Sequence, residues 1–561
     1  MDASRQPWEK SYPAGVRWDA PIETTTLQEL LDRAVEAYGE RPALEYRGRR
    51  MSYRELGELA ARAAAGLLGL GIGRNDAVAL YLPNTPFHPI SFFGVLRTGA
   101  RVVHLSPLDA ERELIYKLND SGARTLVTTN LFNLLPTAQK LLAAGHVDRL
   151  IVGDDADWGE APAPPIDESA NVISFGRLLA QAKVPERRPE LSKDDVALLQ
   201  YTGATTGVPK AAMLTHANLT AAVASYRLWI AGQMPKGLPP DRVIMVLPLF
   251  HIYGLSSVML RHLASGNELL LRPRFDVEQI IRDIEVERAT SFPGVPTMWI
   301  ALINHPGIEQ RDLSSLRVAA SGGAPLPIEI AERVQTLTGL PLPSGWGMTE
   351  TSPAGISPPA GPIRKPGSIG LPLPGITAQI VSLEDPHKVL GANEVGEIRI
   401  KGLNVTQGYW NRPQETAAAF ADGYFLTGDV GYYDSDGFFF LVDRKKEMII
   451  SGGFNVYPVK IEYAIYEHPD VEEALVIGIP DAYRGEAAKA FVKLKPRAPM
   501  LTLEALREFL ADKLGRHELP AALEIRASLP RTSVGKFSKT ELIEAERRKH
   551  AASTAQEKAN A

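Results

Sequence analysis

Val196 to Lys210 reads VALLQYTGATTGVPK, an apolar run that stops at nine residues holding two glycines, three threonines and one lysine. A short apolar run closed by a turn signal reads as a buried strand, and a glycine-rich turn after it exposes consecutive backbone N–H groups. Such a nest accepts anions, and threonine hydroxyls add donors that a phosphate oxygen can accept. The stretch therefore predicts a strand that feeds a phosphate-sized loop, within an α/β architecture.

The surrounding chain repeats that alternation. From about Leu27 to Val127, helical periodicity (LQELLDRAVEAY, YRELGELAARAAAGLLGLG) alternates with short apolar strands (AVALYLP, VVHLS, TLVTT). This is the pattern of a largely parallel sheet covered by helices. Asp155 to Ala170, DADWGEAPAPPIDESA, reads as an exposed linker. A second α/β block is expected to open at Val196 and to run through VIMVLPL, NELLLRP, ATSFPGV and LRVAASGG. From Gly367 short strands punctuated by Gly and Pro suggest a small β-barrel or sandwich, with Asp436-Gly437 as a hairpin turn. After Arg444 mixed α and β returns, enough to close a core of its own as a C-terminal lid domain. The expected division is an N-terminal domain over 1–443 (α/β subdomains at about 1–190 and 191–360, the β-barrel at 361–443) and a C-terminal domain over 444–561.

Composition narrows the function. With 61 Lys+Arg against 66 Asp+Glu, the net charge of −5 offers no basic field for nucleic acid. The absence of cysteine excludes disulfides, thiolate metal sites and a cysteine nucleophile. MDASRQPWEKSYPAG lacks the features of a secretory signal, and no window approaches a membrane-spanning run. A cytoplasmic protein with no transmembrane segment is expected, and peripheral membrane contact stays open.

The loop itself does not follow the Walker pattern G-x-x-x-x-G-K-[ST], because Pro209 precedes Lys210 and Ala211 follows it. Alone it reads equally as a phosphate grip or a Gly/Thr surface turn. Four further stretches accompany it. WGMTE (Trp346 to Glu350) offers an aromatic face, a hydroxyl and a carboxylate; TGD (Thr427 to Asp429) places a carboxylate at a strand end; and DRKKEMIISGGFNVYP (Asp443 to Pro458) leads towards PRTSVGK (Pro530 to Lys536).

Taken in order, these motifs resemble the adenylate-forming superfamily of acyl-CoA synthetases, non-ribosomal-peptide adenylation domains and luciferases, and most nearly its fatty-acyl-CoA ligase branch. The resemblance spans nearly the whole chain. It implies a two-step ligase that converts a carboxylate and ATP to acyl-AMP and pyrophosphate, and then uses the coenzyme A thiol to displace AMP. The chemical need is plain, since a carboxylate at neutral pH resists nucleophilic attack until it carries a leaving group.

The resemblance also implies roles for individual residues. Thr202, Gly203, Ala204, Thr205, Thr206, Gly207 and Lys210 would grip the ATP phosphates, although Gly203, Ala204 and Ala211 depart from the usual Y-T-S-G-T-T-G-x-P-K-G. A methyl at Ala204 restricts φ where glycine is usual. Trp346 and Gly347 would lie by the adenine or acyl group, Thr349 would face the α-phosphate and Glu350 would hold Mg²⁺. Asp429 would accept the ribose hydroxyls beside Arg444. Lys446 would be the hinge of a mobile C-terminal domain, and Gly452-Gly453 would line the pantetheine path. Lys536 would stabilise the charge that builds in the transition state, and in such enzymes it is a target for a lysine acetyltransferase and its deacetylase. His251 would gate the acyl pocket, and the turn SGGAPLP (Ser321 to Pro327) would contact adenine and the acyl head, with Gly323 and Ala324 as pocket walls. Asp434, Asp436 and Gly437 do not form a calcium loop, because Tyr432 stands at the first ligand position.

The same likeness favours medium- or long-chain fatty acids. Dicarboxylic and aromatic acids stay open: a second carboxylate would need a partner inside the pocket, for which His251, Arg227 and Arg261 are the candidates. Two other classes are a stand-alone adenylation enzyme that loads a separate acyl carrier protein and a non-catalytic nucleotide-binding regulator. The presence together of Thr349, Glu350, Asp429, Arg444 and Lys536 argues against the regulator, since binding alone does not need a movable lysine.

Overall fold

Three of the longer helices start where the sequence supplies reciprocal caps. Thr26 with Glu29 opens Leu27–Tyr38, Ser52 with Glu55 opens Tyr53–Gly69, and Thr215 with Asn218 opens His216–Ala231, each as a capping box. The computed structural model describes residues 6–132, 134–159, 163–182, 189–202, 209–235, 237–360, 364–451, 454–481, 484–532 and 535–549.

Two seven-stranded sheets dominate. The first orders Val172–Ser174, Arg149–Gly153, Thr125–Thr129, Ala77–Tyr81, Arg101–Leu105, Val196–Thr202 and Lys210–Thr215, parallel throughout except for the last pair. The second orders Ser344–Gly345, Val318–Gly322, Ser291–Gly294, Arg242–Met245, Glu268–Leu271, Pro42–Tyr46 and Arg49–Ser52, again antiparallel only at its last pair.

Strand membership corrects the expected block boundary. Val196–Thr202 does not open the second sheet; it completes the first, with Leu198 opposite Val102. Conversely Pro42–Tyr46, from the first block, joins the second sheet with Leu44 opposite Leu269. A single core explains the exchange: Leu80, Val102 and Leu198 from one sheet and Leu44, Val243 and Leu269 from the other belong to one cluster with the helices Tyr53–Gly69 and Phe87–Arg97. Every residue of Phe87–Arg97 is buried, as an all-round apolar helix requires. A Cβ on Gly94 would stand 2.8 Å from the Cβ of Ala63, so glycine sets this close helix crossing.

The small barrel expected over 361–443 takes the form of a five-stranded antiparallel sheet. Thr377–Val381, Gly396–Lys401 and Tyr424–Tyr433 pair in series, and Phe420–Ala421 and Phe439–Arg444 both pair with the long, bulged Tyr424–Tyr433. The expected hairpin is present: Asp434 N–H donates to Phe438 O, and Gly437 has φ +83°. A Cβ on Gly437 would lie 2.5 Å from Cα of Trp8, which is how the N-terminal PW segment docks here.

Past Arg444, a second five-stranded sheet carries Ile449–Ser451, Phe454–Val456, Val471–Asp481, Gly485–Leu494 and Ala522–Ile525. It has its own apolar cluster, including Ile461, Ile465, Val476, Val492 and Leu506. Among the described residues no helix is long and apolar enough to cross a membrane.

Candidate active site

The motifs singled out in the sequence converge on one cavity of about 2390 Å³, lined among others by Thr202, Lys210, His251, Trp346, Glu350, Asp429, Arg444 and Lys536. Thr349, Gly347, Lys446, Gly323 and Ala324 also line it. Gly203, Ala204, Thr205, Thr206 and Gly207 lie outside the described residues, as do Gly452 and Gly453. The loop's two anchors are described: Thr202 ends a strand and its hydroxyl donates to the carbonyl of Lys210, 3.3 Å away, across the antiparallel pair.

Lys210 and Glu350 meet through a residue the motif reading missed. The Lys210 ammonium stands over the Tyr409 ring, 5.4 Å from its centroid, and Tyr409 O–H donates to Glu350 Oε1 at 2.8 Å. The same segment is stitched to both neighbours by Thr406 N–H to Glu350 O, Met213 N–H to Gly408 O and Trp410 N–H to Ala211 O. Nothing in the pattern GYW marks Tyr409, because only the fold brings it to Glu350. Glu350 is 5% exposed, and burial pushes its carboxyl up, while the Tyr409 hydroxyl holds it back.

Asp429 is held from two sides. Trp346 Nε1–H donates to Oδ2 at 2.7 Å and Arg444 Nε reaches Oδ1 at 3.1 Å. Burial raises its carboxyl above the usual range and Arg444 opposes that. Each oxygen keeps a second lone pair, so two further donors can still be accepted. The turn that follows Trp346 admits only glycine: a Cβ on Gly347 would stand 1.5 Å from the carbonyl oxygen of Pro353.

Lys536 comes from the C-terminal unit. Its loop is clasped internally by Thr532 N–H to Lys536 O and Lys536 N–H to the Thr532 hydroxyl. It is seated on the other unit by the Thr297 hydroxyl, which donates to Gly535 O at 2.7 Å. A Cβ on Gly323 would lie 2.6 Å from Cε of Lys536, so a bare backbone at φ +78° makes room for the amine. Burial first, and then the Arg444 guanidinium, push the Lys536 amine down to about 8, with Asp429 pulling the other way. His251 faces the same space; burial, Lys536 and His104 together hold its imidazole well below the ordinary value. Behind it, His104 Nδ1 pairs with Gln200 Oε1, and Gln200 Nε2 donates to Phe250 O.

An ammonium, a guanidinium, two buried carboxylates and a glycine-lined wall therefore surround a cavity that reaches from a threonine-bearing strand end to an apolar branch. Residues 31–410 match the family described as AMP-binding enzyme, and residues 460–536 match the AMP-binding enzyme C-terminal domain. The chain belongs to the AMP-binding enzyme family. Among its relatives, a long-chain-fatty-acid–CoA ligase of Bacillus subtilis (strain 168) is 38% identical, covering 98% of this chain and 99% of the relative. A feruloyl-CoA synthase of an Amycolatopsis species is 36% identical over 89% of this chain and 95% of its own. Among solved structures, ATP-bound MatB from Rhodopseudomonas palustris superposes with a TM-score of 0.82 at 28% identity, covering 93% of this chain and 99% of that one. An anthranilate CoA ligase in complex with anthranoyl-AMP gives 0.84 at 25% identity, covering 95% and 99%. As a member of this family that matches its relatives over nearly their whole length, the protein is an ATP-dependent, AMP-forming acyl-CoA ligase that uses ATP and coenzyme A as co-substrates.

Proposed function

We propose that this ligase activates medium- or long-chain fatty acids, and that the residues gathered around Lys536 divide the work of its first step. The observation that carries the division is the placement of Lys536, from the C-terminal unit, against Gly323 and in the field of Arg444 and Asp429. In that step a carboxylate oxygen of the acid attacks the α-phosphorus of ATP, and pyrophosphate departs with the electron pair of the broken P–O bond. Negative charge grows on the phosphoryl oxygens, where the Lys536 ammonium supplies stabilisation that leaves when its loop leaves. Thr349 donates to the α-phosphate. Asp429 accepts the ribose hydroxyls with the lone pairs that Trp346 and Arg444 leave free. Lys210 and the loop from Thr202 to Gly207 hold the leaving phosphates. In the second step the coenzyme A sulfur attacks the acyl carbon, AMP leaves, and the thiol proton passes to solvent. Lys446 lies between the strands that end at Arg444 and begin at Ile449, where a hinge between the two poses belongs.

The donor set fits Mg²⁺ held largely by substrate. Glu350 offers a buried carboxylate that lines the cavity, and no group of three or more His, Cys, Asp or Glu that could cage an ion occurs among the described residues. A magnesium ion that keeps waters and phosphate oxygens needs only one or two carboxylates. When bound, it neutralises phosphate charge.

Support for a fatty acid comes from the cavity branch beyond Gly322, walled by Tyr226, Trp229, Ile230, Met234, Tyr253 and Val258, and from the relatives' names. Consumption of ATP and coenzyme A suits a cytoplasmic enzyme. Acetylation of Lys536 would remove the transition-state charge, so an acetyltransferase and deacetylase pair would switch the first step. Pyrophosphate release across a panel of fatty acids, with and without coenzyme A, tests the substrate reading. Release that ignores coenzyme A and answers only to an acyl carrier protein would refute it.

A further inference from the structure

The helix that follows His251 presents an unexpected side chain to the apolar branch. Tyr253–Leu260 is wound as a π-helix and continues directly into Arg261–Leu263. Helical segments of this kind concentrate at functional sites. Tyr253, Ser257 and Arg261, spaced by four, all line the cavity, opposite Tyr226 and Trp229. Adjacent glycines fix where this branch begins: a Cβ on Gly323 would meet Lys536, and one on Gly322 would meet the Tyr253 ring at 3.1 Å. The branch thus opens beside the reacting centre. Arg261 lies ten residues beyond His251, at most about 15 Å along the helix.

Arg261 brings a charge to this depth without a counterion. Its Nε donates to Ser257 O at 2.6 Å and its Nη2 to His262 Nε2 at 2.6 Å, both neutral acceptors. Burial beside Arg261 holds His262 uncharged, so its Nε2 is a neutral acceptor. Among the described residues no carboxylate lies within ion-pair distance of Arg261. Asp241, the acid whose field reaches it, pairs through Oδ1 with Arg317 at 2.7 Å and with the Thr290 hydroxyl at 2.8 Å. The remaining candidates differ: Arg227 is exposed, and His251 stays at the mouth beside Lys536. Arg261 is half-buried on the cavity wall, and a guanidinium there with donors to spare and no anion is completed by an anionic ligand that enters the cavity.

We infer that Arg261 is a specificity-determining residue that receives an anionic oxygen group, a second carboxylate, at the far end of the acyl substrate. The ligase then takes α,ω-dicarboxylic or ω-carboxylated acids in preference to the plain fatty acids of equal length. This rests on the reading of the branch as the acyl pocket. No chemistry changes, since the proximal carboxylate still attacks ATP and the distal one stays ionised against the guanidinium, matched as fork to carboxylate.

The test compares kcat/KM for adenylation of saturated monocarboxylic and α,ω-dicarboxylic acids, from hexanoic and hexanedioic to hexadecanoic and hexadecanedioic, in the wild type and in Arg261→Leu. The wild type is expected to favour the diacid at one optimal length. Arg261→Leu is expected to lower the diacid-to-monoacid ratio at that length by tenfold or more, chiefly through KM, while turnover of monoacids persists or improves. Turnover of monoacids with no length at which the wild type favours the diacid overturns the proposal while leaving the fatty-acid reading intact, and so does an unchanged ratio in Arg261→Leu. A better result with ω-hydroxy acids than with diacids also overturns it, by assigning a neutral partner. Failure of every acid would remove the acyl-pocket reading and the proposal together. If Arg261→Leu does not fold, the wild-type diacid preference and its suppression in Arg261→Lys, which keeps charge but loses the fork, decide the matter.

Discussion

Lys536 is legible in sequence only as the end of PRTSVGK; what the fold adds is its electrostatic setting. Because burial and Arg444 push its amine down to about 8, the free enzyme holds a cation there below that pH and loses it as pH rises through it. The kcat/KM for acyl-adenylate formation, followed by pyrophosphate exchange, is therefore expected to fall about tenfold per pH unit above about 8; a level profile up to pH 10 would contradict the assignment. Lys536→Ala should cost roughly 10²–10³ in the same assay, the scale of a lost transition-state donor, and should leave thioester formation from supplied acyl-AMP far less affected. Trp346 carries a second, finer expectation. Its indole N–H fixes Asp429 Oδ2, so Trp346→Phe keeps the aromatic wall but frees that oxygen. One net hydrogen bond is worth about 0.5–1.5 kcal/mol, and the KM for ATP should rise about twofold to tenfold with kcat nearly constant. The indole contact was not visible in WGMTE, where Trp346 is read by its ring alone.

At the scale of elements, the turn after Trp346 shows why a motif glycine is there. Backbone of Gly347 and Pro353 approach so closely that a methyl would overlap the Pro353 carbonyl, at 1.5 Å. Gly347→Ala must move the turn carrying Thr349 and Glu350. It is expected to destabilise the protein by more than about 3 kcal/mol, within the range of severe backbone conflicts, and to abolish adenylation in whatever folded fraction remains. Thermal denaturation and pyrophosphate exchange on the purified variant check both halves. Sequence periodicity identified most strands and helices, because apolar period and capping residues are local properties. It assigned Val196–Thr202 to the wrong sheet because a short apolar run carries no address, and it did not mark Pro42–Tyr46 as a strand at all: both sheets present apolar faces to a common core. Tyr409 was missed for the same reason, since its contact with Glu350 spans 59 residues and depends on where the five-stranded sheet docks.

Across the whole molecule, the proposed two-step function requires that a loop of the C-terminal unit reach a site built by the N-terminal one and then withdraw. The sequence located the two ends of this arrangement, near Arg444 and at Lys536, but not the contact that seats the loop. Among the described residues that contact includes a hydrogen bond from the Thr297 hydroxyl to Gly535 O, on a loop that is also held by its Thr532 clasp and by the Arg531–Glu473 ion pair. Thr297 sits in the first turn of Pro296–Ile303, a helix whose other side chains are largely core, so the hydroxyl can be removed without hollowing the interior. Thr297→Val keeps the shape and deletes the donor, which at about 1 kcal/mol should shift the seated population about fivefold. If seating and withdrawal are distinct poses of one unit, the two half-reactions must respond differently. Adenylation, read by pyrophosphate exchange, is expected to slow by about that factor, whereas thioester formation from supplied acyl-AMP and coenzyme A should hold steady or quicken. Equal slowing of both steps would mean that Thr297 supports the site as a whole and does not govern the pose.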